Sequence, residues 1–147
     1  MTIFISILIM GLTFLFMEFV AWSVHKYIMH GFLWSLHKDH HVVNHEKFFQ
    51  KNDYFFLIFA IPSIILIFIG YENLSINFFV GLGIALYGLA YFLIHEIIIH
   101  RRLPPPNKTK SKYIKAIRKA HKVHHKNRGK YDGVNFGMLI VPKKYFK

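Results

Sequence analysis

Three apolar runs set the pattern along this chain: residues 2–24, 54–70 and 76–94. Each is long enough to cross the hydrocarbon core of a bilayer as a helix, which takes about 17 to 25 residues. Polar stretches at 25–53 and 95–147 flank them, and a short connection at 71–75 joins the second run to the third. The alternation predicts an all-α integral membrane protein, with three transmembrane helices in a bundle and one polar cap, in a single domain over 1–147. The first run lacks the basic lead and small-residue cleavage site of a signal peptide, so it is expected to stay as a helix.

Within these runs a few residues stand out. Gly81, Gly83, Ala85 and Gly88 give the third span small surfaces for close helix approach. Pro62 is expected to kink the second. Glu18, a carboxylate near the end of the first span, asks for a hydrogen-bonding neighbour or a functional role. After the third span, three consecutive prolines within 101–110 exclude a regular helix and predict a loop. Ser111 then caps a helix reaching about Asn127, with Ile114, Ile117, His121, His124 and His125 on one face and five lysines largely elsewhere. The tail from 129 to 147 reads as a turn with short extended pieces.

Charge supplies sidedness. All 19 Lys and Arg fall within 26–51 and 101–147, whereas the 71–75 connection carries only Glu72. The positive-inside rule then puts the N-terminus outside and the cap, with the C-terminus, in the cytoplasm. The +12 formal charge therefore reads as topology and anionic-lipid contact rather than nucleic-acid binding, with docking of an acidic protein as a second use. Apolar usage of 54% fits a membrane protein. With no cysteine, thiolate metal sites and disulfides are excluded.

Any metal must therefore be held by nitrogen or oxygen, and histidine is abundant. His25 and His30 form His-x-x-x-x-His, followed by His37, His40 and His41 as His-x-x-His-His; His95 and His100, then His121, His124 and His125, repeat both forms. On an α-helix each His-x-x-His-His presents its rings along one stripe. A separation of five turns through about 140° and would divide a pair around the helix, between two metals or against another helix. Both halves leave the bilayer on the same predicted side, so ten rings can converge there. Ten exceed the six positions of one octahedral ion, and two ions fit. Imidazole suits Zn, Cu, Fe and Ni alike. Asp39, Asp53 and Glu96 are candidates to orient the rings from behind. The competing explanation, interfacial aromatic rings with polar tips, suits lone His45 but not a doubled pattern.

These motifs resemble the membrane di-iron fatty acid hydroxylase and sterol desaturase superfamily. MEFVAWSVHKYIMHG at 17–31, KNDYFFLIFA at 51–60, YGLAYFLIHEIIIH at 87–100 and the stretch 113–142 are similar to the bacterial β-carotene 3-hydroxylases. The resemblance implies two irons on the ten paired histidines, replaceable by zinc in a purified sample. It also implies O₂-dependent hydroxylation of β-carotene at carbon 3, through β-cryptoxanthin to zeaxanthin, with electrons from a ferredoxin-type donor in the bacterial inner membrane. Two departures fall near the cap: VVNHEKFF follows His41, and Gln50 stands where a Glu is usual. Tyr27, Phe32, Trp34, Tyr91 and Phe92 are candidates for a substrate path, or for interfacial anchoring. Another di-iron lipid hydroxylase, desaturase or carotenoid ketolase would share this cap. A metal transporter or storage protein would also need histidines, but transport calls for polar groups at mid-membrane, where this chain is nearly bare.

Overall fold

The computed structural model describes residues 2–42, 49–103 and 109–147; His45 and the Pro104–Pro106 run lie outside them. Its helices are α1 (Ile3–Ser23), α2 (Trp34–His41), α3 (Phe55–Gly70), α4 (Ile76–Tyr91) and α5 (Lys112–Lys126). Two π-helical turns, Val24–Phe32 and Phe92–Ile99, extend α1 and α4, and short 3₁₀ turns occupy Lys51–Tyr54 and Lys143–Phe146. Among the described residues there is no strand. Among the described residues, three helical runs are long and apolar enough to span a bilayer: Ile3–Phe32, which bends at Gly31, Lys51–Gly70 and Ile76–Ile99. They match the expected spans but reach further: the π turns carry the first and third onward through their first histidines, and the 3₁₀ turn at Lys51–Tyr54 lengthens the second at its start.

α4 is the central helix, packed against both α1 and α3. The contacts are close because side chains are missing where backbones meet. A β-carbon on Gly83 would lie 2.6 Å from Thr13 Cβ on α1, and one on Gly81 would lie 2.9 Å from the Ser63 carbonyl on α3. Ser63 Oγ donates to the Gly81 carbonyl at 2.8 Å, so the polar groups of that crossing are satisfied inside the bundle. Ala85 is exposed and Gly88 has open space beside it, so only half of the expected small-residue stripe serves helix approach. α3 stays helical through Pro62. Phe68 and Ile64 are 83% and 65% exposed, which identifies the outer face of α3 as lipid-facing rather than core.

α5 begins at Ser111, whose hydroxyl accepts from the Ile114 N–H, and ends at Asn127, as its cap residues predict. It buries Ala116, Ile117, Ala120, His121 and His124 while Lys112, Lys115, Lys119, Lys122 and Lys126 stay exposed. The tail then folds back over the cap. Asp132 and Asn135 adopt left-handed backbone at φ 63° and 60°, which short polar side chains tolerate. Asn135 Nδ2 donates to Tyr145 Oη at 2.6 Å, and Tyr145 packs on Ala116 and Ala120.

The two glycine contacts differ in a measurable way from Gly88. Gly83→Val should lower the stability of the bundle by about 1–3 kcal/mol, and Gly88→Ala should leave it nearly unchanged. Thermal unfolding followed by circular dichroism in detergent checks this; equal effects of the two substitutions would contradict the packing.

Candidate metal centre

The members of each His-x-x-x-x-His pair stand five positions apart, and the two π turns fall on those pairs. In a π-helix the bond runs from i to i+5, so residues five apart share a face instead of dividing around the helix. His100 N donates to the His95 carbonyl at 2.9 Å, and Leu33 N to the Ile28 carbonyl at 3.0 Å. The ring centroids of His25 and His30 are therefore only 5.3 Å apart, and those of His95 and His100 only 4.6 Å apart. This corrects the α-helical expectation that each pair would split.

The ten rings form two adjoining nests. Ligand nitrogens of His25, His30, His37, His41 and His124 lie within 4.8 Å of one another, as do those of His40, His95, His100 and His121. His125 completes the second group, with its ring 4.4 Å from His121, 4.7 Å from His40 and 4.9 Å from His100. Each nest receives one π-turn pair, one i, i+4 pair from its own half of the chain, and one ring from the other half. His124 crosses into the first and His40 into the second. The nests touch where the His41 and His125 rings stack at 4.5 Å.

A second layer orients these rings. His25, His30, His41 and His124 donate through Nδ1 to the carbonyls of Phe136, Lys130, Asn127 and Val134, at 2.9, 3.1, 2.8 and 2.7 Å. His37 Nδ1 donates to Asn52 Oδ1 at 2.6 Å, His40 Nδ1 to Gln50 Oε1 at 3.0 Å and His95 Nδ1 to Glu96 Oε1 at 2.6 Å. With Nδ1 carrying the proton, Nε2 presents a lone pair to the middle of the nest. Those lone pairs face each other: His30 and His124 meet Nε2 to Nε2 at 3.3 Å, His25 and His37 at 3.1 Å, and His37 and His41 at 3.2 Å. No proton remains for these contacts, so they are repulsive unless a cation lies among them. Donors about 2.05 Å from one ion stand roughly 2.9 Å apart in an octahedron and roughly 3.3 Å in a tetrahedron, so the spacings fit a metal. The buried Nε2 atoms of His40 and His125 have no hydrogen-bond partner among the described residues, as the second nest would require of ligands.

Burial keeps the rings neutral. It pushes His37, His100 and His125 down to about 2, His124 to about 3 and His41 to about 4, with neighbouring imidazoles adding to the shift. Neutral imidazole is the metal-binding form.

Of the three carboxylates expected behind the rings, Glu96 is there and two are one step removed. Asp39 accepts from the Lys51 and Asn52 N–H groups at 2.6 and 3.4 Å. Asp53 accepts from the Gln50 N–H and pairs with Arg102, which also holds Glu96. Both carboxylates thus position the amides Asn52 and Gln50, which reach the rings themselves. Glu18 resolves into an anchor: Oε2 accepts from Tyr87 Oη at 2.8 Å, and Oε1 from the N–H groups of Met138, Leu139 and Ile140 at 2.9, 2.8 and 3.0 Å. It ties down the tail whose carbonyls orient three of the rings, His25, His30 and His124.

A mainly apolar cavity of about 340 Å³ opens beside the nests. His25, His95 and His121 reach its wall; Val24, Met29, Phe55 and Phe59 form its greasy side, and Asn52, Glu96 and Arg102 its polar end. Tyr91 and Phe92 line it, with Phe56 and Phe92 exposed at its edge. Tyr27, Phe32 and Trp34 do not. Tyr27 packs on Trp22 beneath Lys26, Phe32 is exposed, and Trp34 covers the His30 and His41 rings at 5.0 and 5.4 Å.

Fold and site define a helical membrane protein with two juxtaposed all-histidine nests. The fatty acid hydroxylase family model matches residues 10–143, and the chain belongs to that family, which is metal-dependent and uses iron. It is 36% identical over 138 residues to the "Beta-carotene hydroxylase" of Paracoccus sp. (strain N81106 / MBIC 01143), covering 93% of this chain and 85% of that protein. It is 38% identical over 135 residues to the Pantoea ananas "Beta-carotene hydroxylase", covering 92% and 77%. The Arabidopsis thaliana "Beta-carotene 3-hydroxylase 2, chloroplastic" is 34% identical over 87% of this chain and 43% of its own length. No solved structure matches the chain.

Two outcomes follow from the geometry. Removing the Glu18 carboxylate leaves three tail N–H groups and the Tyr87 hydroxyl unanswered, so Glu18→Ala should weaken metal binding about 10- to 100-fold, measured by chelator competition; unchanged affinity would contradict the anchor. Protons provide the second. Unfolded rings gain protons below about pH 6.5, whereas folded His41 and His124 hold off until about 4 and 3. The metal-free protein should therefore lose stability as pH falls from about 6.5 towards 4, by up to about 1.4 kcal/mol per pH unit for each such ring. Thermal midpoints at pH 7.5 and 5.5 check it; equal midpoints would contradict the burial of neutral rings.

Proposed function

We propose that this chain is a β-carotene hydroxylase, acting on the β-ionone rings at carbon 3 to give β-cryptoxanthin and then zeaxanthin. The observation that carries the reading is the juxtaposition of two imidazole nests with an apolar cavity at the end of the membrane spans. The names of relatives that share nearly the whole chain supply the substrate.

The ten histidines His25, His30, His37, His40, His41, His95, His100, His121, His124 and His125 are the proposed ligands of two iron ions, in the two groups of five described above. Iron held there would supply the oxygen activation that an inert ring C–H demands and that acid–base groups do not provide. The chain itself binds, orients and excludes water. The greasy wall from Val24 to Phe59 takes the ring from the bilayer, past Phe56 and Phe92, while the polyene stays against apolar helices. Glu96 keeps the proton of His95 on Nδ1, and the Arg102 pair keeps Glu96 in place. One oxygen atom enters the C–H bond and the other leaves as water, with two electrons and two protons from outside; a ferredoxin-type carrier is the proposed electron source.

The proposed setting is the bacterial inner membrane, with one hydroxylase domain over 1–147 and the nests on the cytoplasmic side. The placement of all Lys and Arg supports that orientation.

Expression in a host that accumulates β-carotene, under ¹⁸O₂, tests the reading. Zeaxanthin with ¹⁸O in both hydroxyls is expected, and His40→Ala or His124→Ala should lower product by at least about a hundredfold while the protein still folds. Unmodified β-carotene from metal-loaded protein with a competent donor would overturn the substrate, and keto-carotenoid products would point to a ketolase instead.

A further inference from the structure

Beside the second nest, a shallow cleft of about 520 Å³ opens between the end of the third span and α5, sharing His121 with the apolar cavity. Its lining combines two kinds of residue. Lys115, Arg118, Lys119 and Lys122 frame it, and His100, His121 and His125 reach its surface from the nest. The three lysines are exposed. They follow one stripe of α5 at spacings of three and four residues, where like charges destabilise a helix. No Asp or Glu occurs in α5 to offset them. Among the described residues Glu18, Asp39, Asp53 and Glu96 are engaged elsewhere, and none of the four cations takes part in an ion pair.

We propose that this cleft is the docking surface for an acidic one-electron carrier protein, seated over His100, His121 and His125. The proposal rests on the metal-centre reading above and adds to it where the electrons arrive. Lysines that serve only topology or lipid contact need border only the apolar belt; these frame an opening onto the proposed ligands. A partner rich in Asp and Glu would relieve their mutual repulsion and orient its redox group towards the nest. Two successive carrier molecules, each oxidised by one electron, supply the two electrons that one hydroxylation consumes. Docking through such rim charges governs association rate and weakens with salt.

The test uses metal-loaded full-length protein in nanodiscs and a plant-type [2Fe–2S] ferredoxin, with binding read by fluorescence anisotropy and β-carotene hydroxylation read separately. Lys115→Glu/Lys119→Glu should weaken ferredoxin binding about tenfold and slow ferredoxin-driven turnover in step, while turnover driven by dithionite and methyl viologen changes less than about twofold. The charge-matched Lys143→Glu/Lys144→Glu variant, outside the cleft, should bind as the unmodified chain does. Equal losses in both variants, or unchanged ferredoxin binding, would overturn the proposal. So would a loss of affinity for phosphatidylglycerol vesicles with ferredoxin binding intact, which would assign the cations to lipid. If dithionite drives no hydroxylation of β-carotene in any variant, the catalytic reading fails, and ferredoxin binding that still depends on Lys115 and Lys119 leaves the docking surface standing.

Discussion

Two neutral imidazoles that have each committed their proton to a carbonyl behind them cannot hydrogen-bond to one another, and their remaining lone pairs repel. This chain holds His30 and His124 in that relation at 3.3 Å, with each Nδ1 tied to the backbone of the tail. The rest of the structure depends on that contact being relieved by a cation. The surroundings offer little other relief, because burial disfavours protonating the rings and the sites are mostly removed from water. A shared cation is what relieves the contact between these lone pairs.

The chain builds this arrangement by exchange between its halves. The first and third spans each end in a π turn that lines up a pair of histidines, and the α2 and α5 helices that follow each send two rings to their own nest and one across. Neither nest is complete without the other half, so the bundle, α2 and α5 must assemble together for either to form. The exchange also explains why α4 approaches α1 and α3 so closely at Gly83 and Gly81: the ends of the spans have to meet within the reach of an imidazole.

Much of this was legible in the residue pattern, and the exceptions have physical reasons. Helices betray themselves by apolar length and by caps, so the spans and α5 lie close to where 2–24, 54–70, 76–94 and Ser111 put them. The ten histidines stand out because the same spacing is written twice. The sharing of faces at a separation of five was hidden, because an α-helical wheel assigns such residues to different sides and only the π turn reunites them. The orienting layer was hidden more deeply. Four of its acceptors are backbone carbonyls, three in the tail and one at the α5 cap Asn127, which carry no residue signature, while Asn52 and Gln50 are ordinary amides beside the more conspicuous Asp39 and Asp53. Glu18 was visible as an oddity in a membrane span, but its partners lie far along the chain, Tyr87 on α4 and three tail N–H groups at sequence separations of 120 to 122.

At the boundary between lipid and water the arrangement serves two access routes. The apolar cavity faces the spans, where a carotenoid dissolves, and the cationic cleft faces solvent. Both lead to rings of one ten-histidine cluster. K-edge X-ray absorption on the purified iron-loaded protein, with metal content measured on the same sample, addresses that cluster directly. Two ions per chain, each with about five nitrogen neighbours at about 2.0–2.2 Å and no sulfur, are expected. A single ion per chain, or a first shell made mainly of oxygen, would contradict it.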